Sequence, residues 1–303
     1  MKTFFVFSGQ GAQAVGMGQS LYETSPAAKA IFDAADAALG WKVSEVCFVG
    51  PAEKLTESRY CQPAIYTMSC AALAAFKSKH PEVSAIGNAG LSLGEYAALY
   101  ASGVFSFEAG LKLVAKRAEL MDAACQATDG AMASVLGGDG EIIAEVCATC
   151  GIDVANFNSP GQIVISGEKA KVSDAVAQLK ERGMRKVIPL KVAGAFHSRL
   201  MATAGKQLRE VLEATLMQDP IVPVYQNFSG KTGNDVATII DNLEAQVAGS
   251  VQWVSCIENM IAAGGENMFE FGPGAVLTGL LRRTDKSISF ANINSAETLA
   301  AIT

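Results

Sequence analysis

Gly90-Leu91-Ser92-Leu93-Gly94 is the segment of this chain best suited to covalent chemistry. A GxSxG that follows an apolar run and precedes a helical one is the setting in which a serine sits on a sharp turn with its hydroxyl exposed. The glycines let backbone segments approach closely, and the Leu93 amide, at a helix start, is placed to donate to a developing oxyanion. The plainer reading of Ser92 is a helix N-cap between packing glycines, and the flanking strand and helix favour the nucleophile over it.

A serine hydroxyl needs a base, and histidine, which titrates near neutrality, is the usual one. The chain has two histidines. His80, in the charged stretch Lys77-Ser78-Lys79-His80-Pro81, reads as a solvated loop residue. His197, in Ala193-Gly194-Ala195-Phe196-His197-Ser198, stands where a small-residue loop meets a helix start, and it is the candidate base; a satisfied structural histidine would look the same there.

Arg117 lies in the helical run Leu111 to Leu120 and offers a fork for a carboxylate, although sequence physics alone prefers a surface pair with Glu119 or another acid. Ser8 to Ala14 fits GxGxxA, so a dinucleotide-binding loop is considered. The acidic residue it requires about 20 residues on falls instead, as Asp33 and Asp36, inside a helical run. A tight loop aiming backbone amides into a cleft explains the same glycines. Cys147 and Cys150 form an isolated CxxC with no second pair or nearby histidine, so buried thiols on a helix are expected and no metal.

The elements that must position these residues alternate. Residues 3–7 and 83–91 read as buried strands, 26–39, 62–77 and 95–101 as helices, which implies a largely parallel sheet covered on both faces. Between 131 and 190 the order becomes strand 131–136, helix 141–150, strand 152–156, strand 162–166, helix 169–182, strand 185–190. Gly151 and Gly183 mark the two helix ends. This βαββαβ order predicts a small ferredoxin-like domain, residues 128–193, inserted into a large α/β-hydrolase-like domain formed by 1–127 and 194–303, with the site in the cleft between them. After the insert, helices are predicted at 198–216, 254–263 and 275–283, and strands at 222–227 and 268–271.

Composition agrees with a folded α/β protein: 303 residues, 50% hydrophobic, 18% charged, mean hydropathy +0.25. The uncharged stretch Tyr60 to Phe76 carries Gln62, Pro63 and Ser69 and is too polar to span a membrane. The start turns polar at Ser8 before a signal peptide can build up. Seven scattered cysteines predict reduced thiols in the cytoplasm. A net charge of -6 gives no reason to expect nucleic acid as a partner.

Taken together, the motifs resemble the malonyl-CoA:acyl-carrier-protein transacylase family and the related acyltransferase domains of polyketide synthases, over essentially the whole chain. They run in family order: Gly9-Gln10-Gly11, Gly90 to Gly94 with Glu95-Tyr96, Lys116-Arg117, Asn158-Ser159-Pro160-Gly161-Gln162, Ala195-Phe196-His197-Ser198, and Phe271-Gly272-Pro273-Gly274. The resemblance implies Ser92 as nucleophile, His197 as base, Arg117 as clamp for the malonyl carboxylate, and the Gln10 and Leu93 amides as oxyanion hole. It further implies that a main-chain carbonyl near Gln246 orients the histidine, and that Gln162 and Phe196 line the substrate pocket, Phe196 as in malonyl-selective members. No cofactor is implied. Its partners would be malonyl-CoA and holo acyl-carrier protein, met by a monomer, with Arg182, Arg185, Lys186 and Lys191 as a possible basic patch for an acidic carrier and ordinary solvated charge as the blander account.

The chain departs from the family at Leu91, where a histidine usually precedes the nucleophile. That histidine is not the base, so its replacement leaves the Ser92–His197 pair intact while making the pocket more apolar. Two other functions compete: an acyl hydrolase with the same serine and histidine, and a non-acylating dinucleotide-binding protein built on Gly9 to Ala14.

Overall fold

Thr3-Phe4-Phe5-Val6-Phe7 is apolar on both faces, and successive residues of a strand point to opposite sides. Phe5 and Phe7 accordingly join one hydrophobic cluster while Phe4 and Val6 join another, so this strand sits in the middle of a sheet covered on both sides. The structure, a computed structural model, describes residues 2–302.

The strands are β1 (Thr3–Phe7), β2 (Gly87–Gly90), β3 (Gly130–Leu136), β4 (Asp153–Ser159), β5 (Gln162–Glu168), β6 (Lys186–Pro189), β7 (Val224–Tyr225), β8 (Thr232–Gly233), β9 (Asn267–Phe271) and β10 (Ser289–Ile293). They form a six-stranded sheet, β10-β9-β1-β2-β7-β8, and a separate four-stranded sheet, β4-β5-β3-β6. The first is parallel from β10 to β7 and ends in the antiparallel β7–β8 pair. The second is antiparallel throughout and packs on the helices Gly140–Cys150 and Lys169–Glu181 through a core of its own. The expected α/β fold with a parallel sheet is therefore present, beside a second sheet in βαββαβ order.

Helix 26–39 matches its predicted bounds, with the Ser25 side chain capping its start. The strand expected at 83–91 shortens to β2, because pairing with β1 covers only residues 87–90. The helix expected at 62–77 runs from Ser58 to Lys79 and carries Pro63 inside it. The helix expected from 198 to 216 is a 3₁₀ turn, Arg199–Met201, followed by Ala202–Ala214. Helix Val236–Ala248 was not foreseen, although Asp235 caps it and Ile239, Ile240, Leu243 and Val247 are buried at helical spacing.

Candidate active site

The turn after β2 is dictated by its glycines. A Cβ on Gly94 would lie 2.1 Å from the Phe7 carbonyl oxygen, and one on Gly90 would lie 2.0 Å from the Gly94 carbonyl. Only hydrogen fits at either place, so β1, β2 and the helix Gly94–Ala101 close onto one another and force a sharp reversal. Ser92 sits at its apex with φ 51°, a strained value for a side chain-bearing residue. Asn227 holds the turn from outside: its Oδ1 accepts from the Ser92 amide at 2.5 Å and its Nδ2 donates to the Gly90 carbonyl at 2.8 Å. Leu91 donates its amide to the Phe7 carbonyl at 3.1 Å, and its side chain is half-buried against the cluster containing Phe4 and Val6.

His197, also at positive φ (55°), brings Nε2 to 2.8 Å from Ser92 Oγ. Its Nδ1 is 2.8 Å from the Gln246 carbonyl oxygen. A carbonyl can only accept, so Nδ1 carries the proton and Nε2 presents its lone pair to the serine. Burial, with the Arg117 charge adding to it, pushes the imidazole down to about 4, leaving it a neutral acceptor at physiological pH. Just downstream, Ser198 ties back to the Ala195 carbonyl at 2.7 Å, and Arg199 pairs with Asp153 at 2.7 Å, fastening the histidine loop to β4.

Arg117 lies on the helix Phe107–Gln126 and is 1% exposed, so the surface pair with Glu119 is not made; Glu119 bonds Lys116 instead. Its Nη1 donates to Gln62 Oε1 at 2.6 Å, and its Nη2 donates to Ser92 Oγ at 3.1 Å and to Gln246 Oε1 at 3.2 Å. Among the described residues, no carboxylate lies within ion-pair distance of it, and its buried Nε has no partner. A buried cation without a counter-ion in contact, bonded to a serine hydroxyl, is suited to receive an anionic group.

Gln62, Asn227 and Glu95 were not recognised as site residues from sequence. Glu95 is fully buried beside the elbow, accepting from the Asn227 amide and Gln246 Nε2, both at 2.8 Å, and burial raises its carboxyl to about 7. A signal was present at two positions: Glu95 and Gln246 are polar residues on otherwise apolar buried helix faces.

The other expected residues fall around this centre. Among the described residues, the amides of Gln10 and Leu93 donate to no protein acceptor, and the Gly9 α-carbon packs so tightly on the Leu91 carbonyl that a Cβ there would lie 2.4 Å from its oxygen. Phe196 is 7% exposed, next to the histidine. Gln162, at the start of β5, accepts from Arg283 at 2.6 Å and makes no hydrogen bond to the residues around Ser92. His80 is not a solvated loop residue: it ends the helix Ser58–Lys79 and packs on Phe76, ring centroids 5.1 Å apart. Cys147 and Cys150 are free thiols on a helix, and among the described residues no group of His, Cys, Asp or Glu is placed to hold a metal ion. Among the same residues, no helix is long and apolar enough to cross a membrane.

Residues 4–302 match the family described as the acyl transferase domain. The chain belongs to that family. Within it, the acyltransferase is 41% identical to a malonyl CoA-acyl carrier protein transacylase of Bacillus subtilis (strain 168), over 98% of this chain and 95% of that protein. A crystal structure of an acyl-carrier-protein-S-malonyltransferase from Bartonella henselae superposes with a TM-score of 0.95 at 37% identity, covering 99% of this chain and 98% of that one. The malonyl-transacylase solved in complex with its type II polyketide-synthase acyl-carrier protein gives a TM-score of 0.94 at 33% identity, covering 99% and 98%. The acyltransferase shares its fold with these two solved structures over nearly the whole chain.

Proposed function

We propose that this acyltransferase moves a malonyl group from malonyl-CoA to the phosphopantetheine thiol of a holo acyl-carrier protein through an ester on Ser92. The observation that carries this reading is that one hydroxyl, Ser92 Oγ, contacts both His197 Nε2 (2.8 Å) and the buried Arg117 guanidinium (3.1 Å). Nucleophile, base and carboxylate receptor thus meet at one atom. The named activities of its relatives agree.

In the acylation step Ser92 Oγ gives its proton to His197 Nε2 and bonds the thioester carbonyl carbon, while the Gln10 and Leu93 amides hold the oxyanion. The Gln246 carbonyl supports the imidazolium through Nδ1. Collapse breaks the carbon–sulfur bond, and the coenzyme A thiolate leaves with the proton from His197. The carrier thiol then repeats the sequence in reverse. Arg117 exchanges its Ser92 contact for the malonyl carboxylate, which holds the acyl group in place and excludes acyl groups without one.

We read the six-stranded sheet as an α/β-hydrolase-like domain, residues 1–127 and 194–303, and residues 128–193 as an inserted ferredoxin-like domain that closes over the site, with Gln162 and Phe196 on the substrate side. The protein acts as a cytoplasmic monomer. Partner discrimination separates this reading from a hydrolase: initial rates with malonyl-CoA and holo carrier protein varied together should give the parallel double-reciprocal lines of a ping-pong reaction, with malonyl-carrier as product. Free malonate released at the same rate without carrier would make the protein a hydrolase.

A further inference from the structure

We infer that Glu95 is the counter-charge of Arg117, coupled to it through the Gln246 side-chain amide, and that it sets how strongly the pocket favours an acyl group bearing a carboxylate. The inference deepens the malonyl-transfer reading and rests on it.

Both groups are fully buried and they do not touch. Between them stands one amide: Gln246 Oε1 accepts from Arg117 Nη2 at 3.2 Å, and Gln246 Nε2 donates to Glu95 Oε2 at 2.8 Å. The amide has an oxygen end and a nitrogen end, so a cation on one side and an anion on the other fix which way it points. Every contact of the Glu95 carboxyl is a donor: the Asn227 amide and Gln246 Nε2 at Oε2, and Gln226 Nε2 at Oε1, 3.3 Å away. A protonated acid would have no acceptor there, so these contacts favour the carboxylate against the opposing effect of burial.

A direct Glu95–Arg117 salt bridge would occupy the fork that the substrate carboxylate needs. One amide of separation leaves the guanidinium compensated yet without a carboxylate on it: its Nη atoms bond only neutral oxygens, and its Nε has no partner. Removing the Glu95 charge therefore makes the pocket more positive. An anionic acyl group gains from that; a neutral one does not. The same change also makes His197 a weaker base, but equally for both substrates.

The charged and titratable groups facing Glu95 are Arg117 on the Phe107–Gln126 helix, Tyr96 on the same helix as Glu95, and Cys256 on the Trp253–Ala262 helix; His197 lies beyond, against Arg117 and Gln246. Burial pushes His197 down to about 4 and Tyr96 up to about 12, and drives the Cys256 thiol far above the ordinary thiol range. Glu95 alone changes charge around neutrality.

The test is the ratio of two Ser92 acylation rate constants, one with malonyl-CoA and one with the neutral ester p-nitrophenyl acetate. In Glu95→Gln the amide oxygen can keep both 2.8 Å hydrogen bonds, and only the longer 3.3 Å contact from Gln226 is lost, because the new amide nitrogen cannot accept it; the charge goes and the two short contacts stay. The ratio should rise on the order of tenfold, the size of a Coulomb interaction at an effective dielectric of about 20 over roughly 12 Å, the reach from Glu95 past Arg117 to an acyl carboxylate. In the wild type the same ratio should climb as pH falls through neutrality. A merely structural glutamate would slow both reactions together and leave the ratio flat, which would overturn the inference. If the variant does not fold, the wild-type pH series decides alone. A wild type that accepts the ester but never malonyl-CoA would overturn the malonyl reading, and this inference with it.

Discussion

Ser92 and His197 meet at 2.8 Å and both sit at positive φ, yet the two sides of the pair are built differently. The serine side is compact: Gly90 closes on Gly94 within the turn, Gly94 closes on Phe7 of the neighbouring strand, and Asn227 only braces the result. The histidine side is assembled from distant segments. Gln246 supplies the carbonyl, Arg117 the neighbouring charge, Ala195 and Ser198 the loop closure, and Asp153 the tie to the second sheet. Glycine sterics in a short motif set the serine turn against one neighbouring strand, whereas the buried imidazole is held by partners that only the folded chain brings together.

The largest effects should be equal on the two sides. Ser92→Ala and His197→Ala should each lower turnover by about 10⁴-fold or more, measured as malonyl transfer, because the pair acts as a unit. A much milder loss in His197→Ala would mean that the serine side works alone. Next comes Arg117→Ala, which should slow Ser92 acylation by malonyl-CoA by about 10³-fold or more while leaving acylation by a neutral ester within about tenfold.

The steric contrast can be read as stability. Gly94→Ala places a methyl 2.1 Å from the Phe7 carbonyl oxygen and should cost about 3 kcal/mol or more in thermal or denaturant unfolding. Ala193→Gly, in the exposed start of the histidine loop, should cost less than about 1 kcal/mol. Comparable losses would erase the distinction between a forced turn and a braced loop.

The pH profile probes the base directly. His197 must be deprotonated to accept the serine proton, and its folded value lies near about 4, below the ordinary 6.5. Acylation should stay level as pH falls past 6 and decline only on approach to 4; a decline centred at 6.5 would show a solvated imidazole. The smallest effect belongs to Asp153→Ala: its partner Arg199 is mostly exposed and its pair lies away from the Ser92–His197 contact, so turnover should change by less than about threefold.

The same contrast explains what could be read from the sequence. The GxSxG turn, the β1 strand and the βαββαβ order are local patterns and appear at nearly their predicted places. Arg117 was legible as a candidate but not as buried, because its helix places it opposite Gln62 and Gln246, partners 55 and 129 residues away. Glu95 stood within the motif, and its importance arises only where Asn227 and Gln246 converge on it. His80 was misplaced because Phe76, one helical turn back, offers its ring a packing surface that charge counting along the chain does not register.

Intact-protein mass spectrometry after mixing with malonyl-CoA tests the central claim most directly. A single malonyl adduct on the wild type, absent from Ser92→Ala and discharged by holo acyl-carrier protein, is the predicted result. No adduct on the folded wild type, or an adduct that persists in Ser92→Ala, would contradict it.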